Sequence, residues 1–296
     1  MQLQRLSGAK QRPLVVKARS RQLCTALRAQ QQASAEYEAL KGVKVFSAAD
    51  GFEVELLSLW QPGPDTRVVI PFLTHFADLS SWEYAQKLNQ KVLPQLREQG
   101  LQVITVGLGS PENARLFSST LDFPLEGLYA DPTGAAYSAL GFSPGFAPGA
   151  DINPYMKLLP MLAGIGSPGT LQEVIRGYVG DRSAKPVFNS ATPFDILGQN
   201  YQRPFELATL RLFNMIGILP KWGELSPPDT KLLVQQGGSL VFKGTDVIFR
   251  HNDSGILKYT DIDALMAAID ASRGSSTQQA QLTTSSSSSS NSGATM

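Results

Sequence analysis

The chain has 296 residues, 42% of them apolar, with a formal net charge of +1. That is enough apolar content for a substantial core, and a near-neutral balance excludes the basic footprint that nucleic acid or an anionic membrane surface requires. The longest interior apolar stretch, Met156 to Ile165, carries Lys157 and Pro160 and is too short to span a bilayer, so no membrane span is expected.

Residues 1–35 hold Arg5, Lys10, Arg12, Lys17, Arg19, Arg21 and Arg28, with no acidic residue before Glu36 and no apolar run of secretory length. This is an organelle-import composition. The Val16-Lys17-Ala18 stretch before Arg19 favours a chloroplast transit peptide with delivery to the stroma, a mitochondrial presequence being the alternative. The chain's single cysteine, Cys24, lies inside this segment, so a processed protein carries no thiol. Residues 273–296 are dominated by Ser, Thr and Gln and read as a disordered tail.

Between these ends, Val43–Phe46 and Glu53–Leu59 flank Asp50-Gly51 and predict an N-terminal β-hairpin. Val68–Leu73 is a continuous apolar run, the pattern of a strand covered on both faces. A helix over 81–98 follows, with Ala85, Leu88, Val92 and Leu96 on one face; then a strand over 102–107, and a helix over 111–121 opened by Pro111. Leu128–Ala130 predicts a short strand turning through Asp131-Pro132-Thr133-Gly134 into a helix that ends near Gly141. Ser239–Phe242 and Val247–Arg250 form a second hairpin, and 261–272 a closing helix capped by Thr260 or Asp261. A hairpin, a βαβα core, an antiparallel hairpin and a final helix make a thioredoxin-like three-layer α/β sandwich with a mixed central sheet, spanning 43–272.

Residues 142–228 depart from that plan as a long insertion rich in Gly, Pro and aromatics. A helix over 204–216 is apolar almost all round and demands cover on more than one side. Met156, Leu159 and Met161, interleaved with Pro160 and Gly164, read as a loop presenting apolar side chains. With Phe213 and Trp222 they are candidates for binding a partner or an apolar ligand.

The candidate site lies where the strand 68–73 runs into Thr74-His75-Phe76-Ala77-Asp78-Leu79-Ser80-Ser81-Trp82-Glu83. Ser80 and Glu83 have capping-box spacing, and Asp78 reads as a residue capping or flanking the helix start. Ser81 has no base placed beside it by sequence, and a Ser-His-Asp relay from His75, Asp78 and Ser81 is too bunched for the required geometry. No His, Cys or carboxylate spacing suggests a metal, and Gly107-Leu108-Gly109 lacks the third glycine of a dinucleotide fingerprint, so no cofactor is expected.

At Thr74–Glu83, at Leu128–Pro132 and at Gln235–Phe242 the chain resembles the peroxiredoxin-like branch of the alkyl hydroperoxide reductase and thiol-specific antioxidant superfamily, in particular its plastid members in plants and algae. In redox-competent members the pair matching His75-Phe76 is followed by a small residue and a Cys-x-x-Cys, so the resemblance maps the two cysteines onto Asp78 and Ser81, with Thr74 and His75 as neighbours. It therefore implies a redox-inactive, peroxiredoxin-like chloroplast protein that binds a plastid protein or an apolar small molecule. The alternative is a peroxide-reducing oxidoreductase that borrows a thiol from glutathione or a partner.

Overall fold

The computed structural model describes residues 33–179 and 203–273. Both expected terminal segments, up to residue 32 and beyond residue 273, lie outside these residues. Strands β1 (Lys44–Ser47), β2 (Glu53–Glu55), β3 (Arg67–His75), β4 (Gln102–Val103), β5 (Thr105–Leu108), β6 (Leu128–Asp131), β7 (Gly238–Lys243) and β8 (Asp246–Asn252) form one mixed sheet. Its order is β2-β1-β6-β5-β3-β7-β8, with β4 also pairing β3. The central strand β3 runs parallel to β4 and β5 and antiparallel to β7.

Alternation along β3 divides the core. Val69 and Leu73 join Trp82, Leu88, Leu96, Phe117, Leu265 and Ile269 on one face of the sheet, whereas Val68, Ile70 and Phe72 join Leu40, Trp60, Tyr137 and Phe142 on the other. A side-chain period of two thus buries both faces of one strand and produces the three-layer sandwich. Both β-hairpins are present, although Leu56–Leu59 winds into a 3-10 turn where the sequence suggested that the second strand continues.

The site's helix is broken where one continuous helix was expected. Following the short N-terminal helix α1 (Ala35–Ala39), it begins as α2 (Leu79–Lys87), widens into a π turn over Leu88–Val92 and resumes as α3 (Leu93–Glu98). Pro94 has no N–H to donate to the preceding turn, and a π turn shifts the ladder past that gap. Pro71 has a similar effect within β3: the parallel ladder is interrupted at Ile104, and its register shifts between Phe72 and His75. Helix α4 (Pro111–Leu121) begins with a capping box in which Ser110 and Asn113 each accept from the other's backbone N–H. Asp261 caps the closing helix over 262–273, its Oδ1 accepting from the Ala264 N–H at 2.8 Å.

The insertion is more helical than its composition suggested. The Pro154–Leu162 stretch forms a helix with Asn153 as its cap, not a loop, because Pro154 occupies the first turn, where no N–H is needed. Thr170–Val179 and Arg203–Ile218 are helices, and Trp222–Leu225 a single helical turn.

Candidate functional site

The last turn of β3 and the first turn of α2 enclose a knot of hydroxyls around one carboxylate. The Asp78 N–H closes a tight turn onto the His75 carbonyl at 2.9 Å, which sets the Asp78 side chain over the start of α2. Asp78 is the N-cap: its Oδ1 accepts from the Ser80 backbone N–H at 3.3 Å. Its Oδ2 accepts from Thr74 Oγ1 at 2.5 Å and from Ser80 Oγ at 2.6 Å. Thr74 Oγ1 also lies 2.7 Å from Ser81 Oγ. Because the single proton of Thr74 goes to the carboxylate, Ser81 is the donor in that contact, and the chain of hydroxyls is directed from Ser81 through Thr74 to Asp78.

Glu83 takes no part in this cap, which corrects the capping-box reading. Its side chain is fully buried and meets Arg211, with Nε 2.7 Å from Oε1. Arg211 also donates to the Glu173 carbonyl at 3.0 Å, and the Glu173 carboxylate holds Lys258 at 3.1 Å. Burial pushes the Glu83 carboxyl up while Arg211 draws it back. Burial pulls Arg211 down, but the Glu83 carboxylate outweighs it and leaves the guanidinium above its usual range. Beside this pair Asn214 and Gln86 exchange two amide hydrogen bonds of 3.0 Å, and Gly217 lies so close to Trp82 that a Cβ there would come within 2.9 Å of the indole. Residues 211, 214 and 217 thus fasten the insertion's longest helix along the site's helix.

The site is closed. Thr74, His75, Ser80 and Ser81 are all buried. The Trp222 indole stands edge-on to the His75 ring at 5.9 Å and 83°, and Tyr155 backs it, accepting from the indole N–H at 3.3 Å. On the far side the Gln236 N–H is bound to the Ser143 carbonyl at 2.8 Å, so the insertion's first residues tie down the loop that leads into β7.

His75 Nδ1 has no hydrogen-bond partner among the described residues, and burial depresses the imidazole's pKa, the Asp78 charge opposing it. His75 therefore stays neutral and makes no hydrogen bond to Ser81, so no nucleophile–base pair forms. Hydroxyls and a carboxylate have no two-electron redox cycle, and the described residues contain no cysteine. A further carboxyl, Asp253, is buried and pushed up to about 6, chiefly by burial and also by Asp78, against the pull of His251. Its Oδ1 accepts no hydrogen bond, and His251 Nε2 stops 3.4 Å away. No group of three His, Cys, Asp or Glu side chains among the described residues is arranged to hold a metal.

The sequence-predicted binding residues are dispersed. Met156, Leu159 and Phe213 face outward, Phe213 with 64% of its surface exposed. Met161 is buried, its sulfur accepting from the Phe146 N–H at 3.4 Å. Trp222 turns to His75 and Tyr155. Sequence reasoning missed Arg211, Glu83 and Asp253 as buried charges. For Arg211 a signal existed: it is the lone charge between Leu207 and Ile218, and a charge in an otherwise apolar helix requires a buried partner.

No curated protein and no solved structure matches the chain. The profile of the AhpC/TSA antioxidant enzyme family matches residues 87–255, more than half of the sequence, beginning at the last residue of α2 and running through both halves of the insertion to the end of β8. Together with the mixed sheet and its flanking helices, this match establishes that the chain belongs to the AhpC/TSA antioxidant enzyme family.

Proposed function

We propose that this protein is a redox-inactive member of its family that acts by binding, with Asp78 and Ser81 standing where redox-competent relatives carry sulfur. The observation carrying this reading is the hydroxyl–carboxylate knot at the start of α2. A peroxidatic thiolate is held ready by the unpaired N–H groups of a helix's first turn. Here Asp78 takes that place, and its oxygens are committed to Ser80 and Thr74. It keeps a negative group at the helix start without the sulfur chemistry. Burial of Ser81 and Thr74, with Trp222 edge-on to His75, supports the same reading, since a thiol borrowed from glutathione or a partner protein would reach half-buried Asp78 but not Ser81, where the second sulfur belongs. The binding surface in this reading lies on the insertion, whose apolar side chains face outward.

The test is peroxide turnover. Purified protein, supplied with hydrogen peroxide or a lipid hydroperoxide and with either thioredoxin or glutathione as reductant, is expected to consume no more peroxide than the reductant alone. Turnover that disappears in the Asp78→Ala variant would establish the borrowed-thiol enzyme instead. Chloroplast import is part of the proposal. Residues 1–35 fused to a fluorescent reporter should deliver it to the stroma, and delivery to mitochondria would reassign the compartment.

A further inference from the structure

Residues 253–258, which follow β8, strap the end of the sheet to the insertion. Ser167 Oγ accepts from the Ile256 N–H at 2.7 Å and donates to Thr170 Oγ1 at 2.6 Å, which donates in turn to the Ile256 carbonyl at 3.1 Å. Ser254 Oγ donates to the Pro168 carbonyl at 3.3 Å, and Lys258 closes the strap on Glu173 at 3.1 Å. Gly255 lies so near Ser167 that a Cβ there would come within 2.2 Å of its hydroxyl. The strap therefore ties the start of the Thr170–Val179 helix to the sheet.

Its first residue is a buried carboxyl. Ser239 pairs with His251, and the Asp253 N–H donates to the Gly237 carbonyl at 3.0 Å, so the ladder sets Asp253 beside Gly237. This is the sheet face that carries α2, because Ser239 Oγ lies 2.7 Å from the Tyr84 hydroxyl. The titratable groups around Asp253 are His251 on β8, whose Nε2 stops 3.4 Å away, Asp78 at the start of α2, Tyr84 farther along α2, and Tyr137 on the Ala135–Ala139 helix. Among the described residues no lysine or arginine pairs with it, and its Oδ1 has no hydrogen-bond partner. An anion there has His251 alone to offset the loss of water and the like charge of Asp78. The strap also holds Leu257 at a φ of 61°, in the left-handed region that a leucine disfavours. Opening it returns Leu257 to ordinary backbone angles and the Asp253 carboxylate to water.

We propose that Asp253 is a pH-sensitive latch: while its carboxyl is protonated the 253–258 strap stays fastened to Ser167 and Thr170, and when it ionises the strap lets go and frees the start of the Thr170–Val179 helix from the sheet. Linkage sets the size of the effect. With the carboxyl at about 6 in the closed strap and at its ordinary 3.8 in the open one, the opening constant rises about 50-fold between pH 4 and 7.

Amide hydrogen exchange of the full chain, corrected for the intrinsic pH dependence of exchange, tests this. The reporters are the Ile256 N–H, held by Ser167, and the Lys258 N–H, held by the Gly255 carbonyl; the Ile104 N–H, bound to the Val69 carbonyl, reports on the core. In the parent both strap amides should open about 50-fold more readily at pH 7 than at pH 4, and in Asp253→Asn, which keeps the shape without the charge, the change should stay within about 3-fold. Ser167→Ala removes the anchor but not the carboxyl, so the Lys258 amide should exchange faster at both pH values and keep its rise. Strap amides that ignore pH, or that rise equally in Asp253→Asn, overturn the latch. So do strap amides that exchange no faster than Ile104 at pH 7, because the carboxyl then reaches water only on global unfolding. If Asp253→Asn does not fold, the parent's pH series against Ile104 decides alone. None of these readouts uses peroxide turnover, so the latch stands or falls apart from the redox-inactive reading.

Discussion

Removing Arg211 tests whether the insertion is fastened to the site's helix by charge. In the parent, Arg211 and Glu83 are both almost wholly withdrawn from solvent, with a 2.7 Å contact between them. Arg211→Met preserves much of the side chain's volume but takes from the buried Glu83 carboxylate its closest charge partner, leaving only Lys87 and Tyr259 beside it. Such a loss costs about 3–5 kcal/mol when the remaining charge has no other partner. Burial already pushes Glu83 toward its protonated form, so part of the penalty is relieved by proton uptake, and about 3 kcal/mol is expected at pH 7. That relief fixes the pH dependence: protonated Glu83 is favoured in the folded variant, so the deficit relative to the parent should shrink as pH falls toward 5. Glu83→Gln retains an acceptor for Arg211, which also keeps its bond to the Glu173 carbonyl, so a smaller loss of about 1.5–3 kcal/mol is expected. The double change Glu83→Leu with Arg211→Met removes both charges and should lie within about 1 kcal/mol of the parent. Urea unfolding of the full chain, followed by the fluorescence of its three tryptophans, Trp60, Trp82 and Trp222, and by circular dichroism, measures all three. An Arg211→Met loss below about 1 kcal/mol at pH 7, or a double variant as unstable as that single one, would refute the reasoning.

Three other outcomes follow from the site. Asp78→Ala should cost about 0.5–2 kcal/mol in urea unfolding, toward the upper end because Thr74 and Ser80 lose an acceptor along with the helix cap, and Asp78→Asn should recover most of it. Asp253 has a folded pKa of about 6 against an ordinary 3.8, so its favourable contribution is complete only well below pH 3.8 and is lost as pH rises through about 6; the stability difference between Asp253→Asn and the parent should therefore move by about 2.4 kcal/mol in the variant's favour between pH 4 and 7. Trp222→Ala should uncover His75 and raise its depressed pKa toward the ordinary imidazole value, read by proton NMR titration of the chain's two histidines; an unmoved His75 resonance would show that the indole does not seal the site.

Most of the fold is legible because its signals are local. Val68 to Leu73 is apolar at every position but Pro71, and both faces of β3 are buried; Asp50-Gly51 and Lys243 to Asp246 join hairpin strands; Pro111 and Asp261 stand at helix starts. The misread details are those in which one residue's effect depends on a distant strand or turn. Pro94 gives no local sign of whether the ladder before it ends, kinks or widens, and only the packing of Leu88 and Val92 against the sheet favours the π turn that keeps both buried. The Pro154–Leu162 helix was hidden by Pro160 and the glycines after it, because local propensity opposes a helix that tertiary contacts complete.

At the site, the cap was legible and the closure was not. Asp78 announces itself by residue type, since an Asp before an amphipathic segment has an N–H to satisfy two positions on. Glu83 misleads for the same reason: its spacing from Ser80 suits a capping box, yet its partner, Arg211, lies 128 residues away and arrives with a helix of the insertion. Burial of a charge is set by what packs over it, and a short sequence window around the site contains no trace of that cover. The same helix that brings Arg211 inward turns Leu212, Phe213 and Ile216 outward, so one amphipathic element both fastens the insertion along the site's helix and presents apolar side chains to the outside. Substitutions at Arg211 should therefore loosen the insertion's helix from the site's helix, whereas Asp78→Asn, which changes only the cap at the start of α2, should leave that attachment intact.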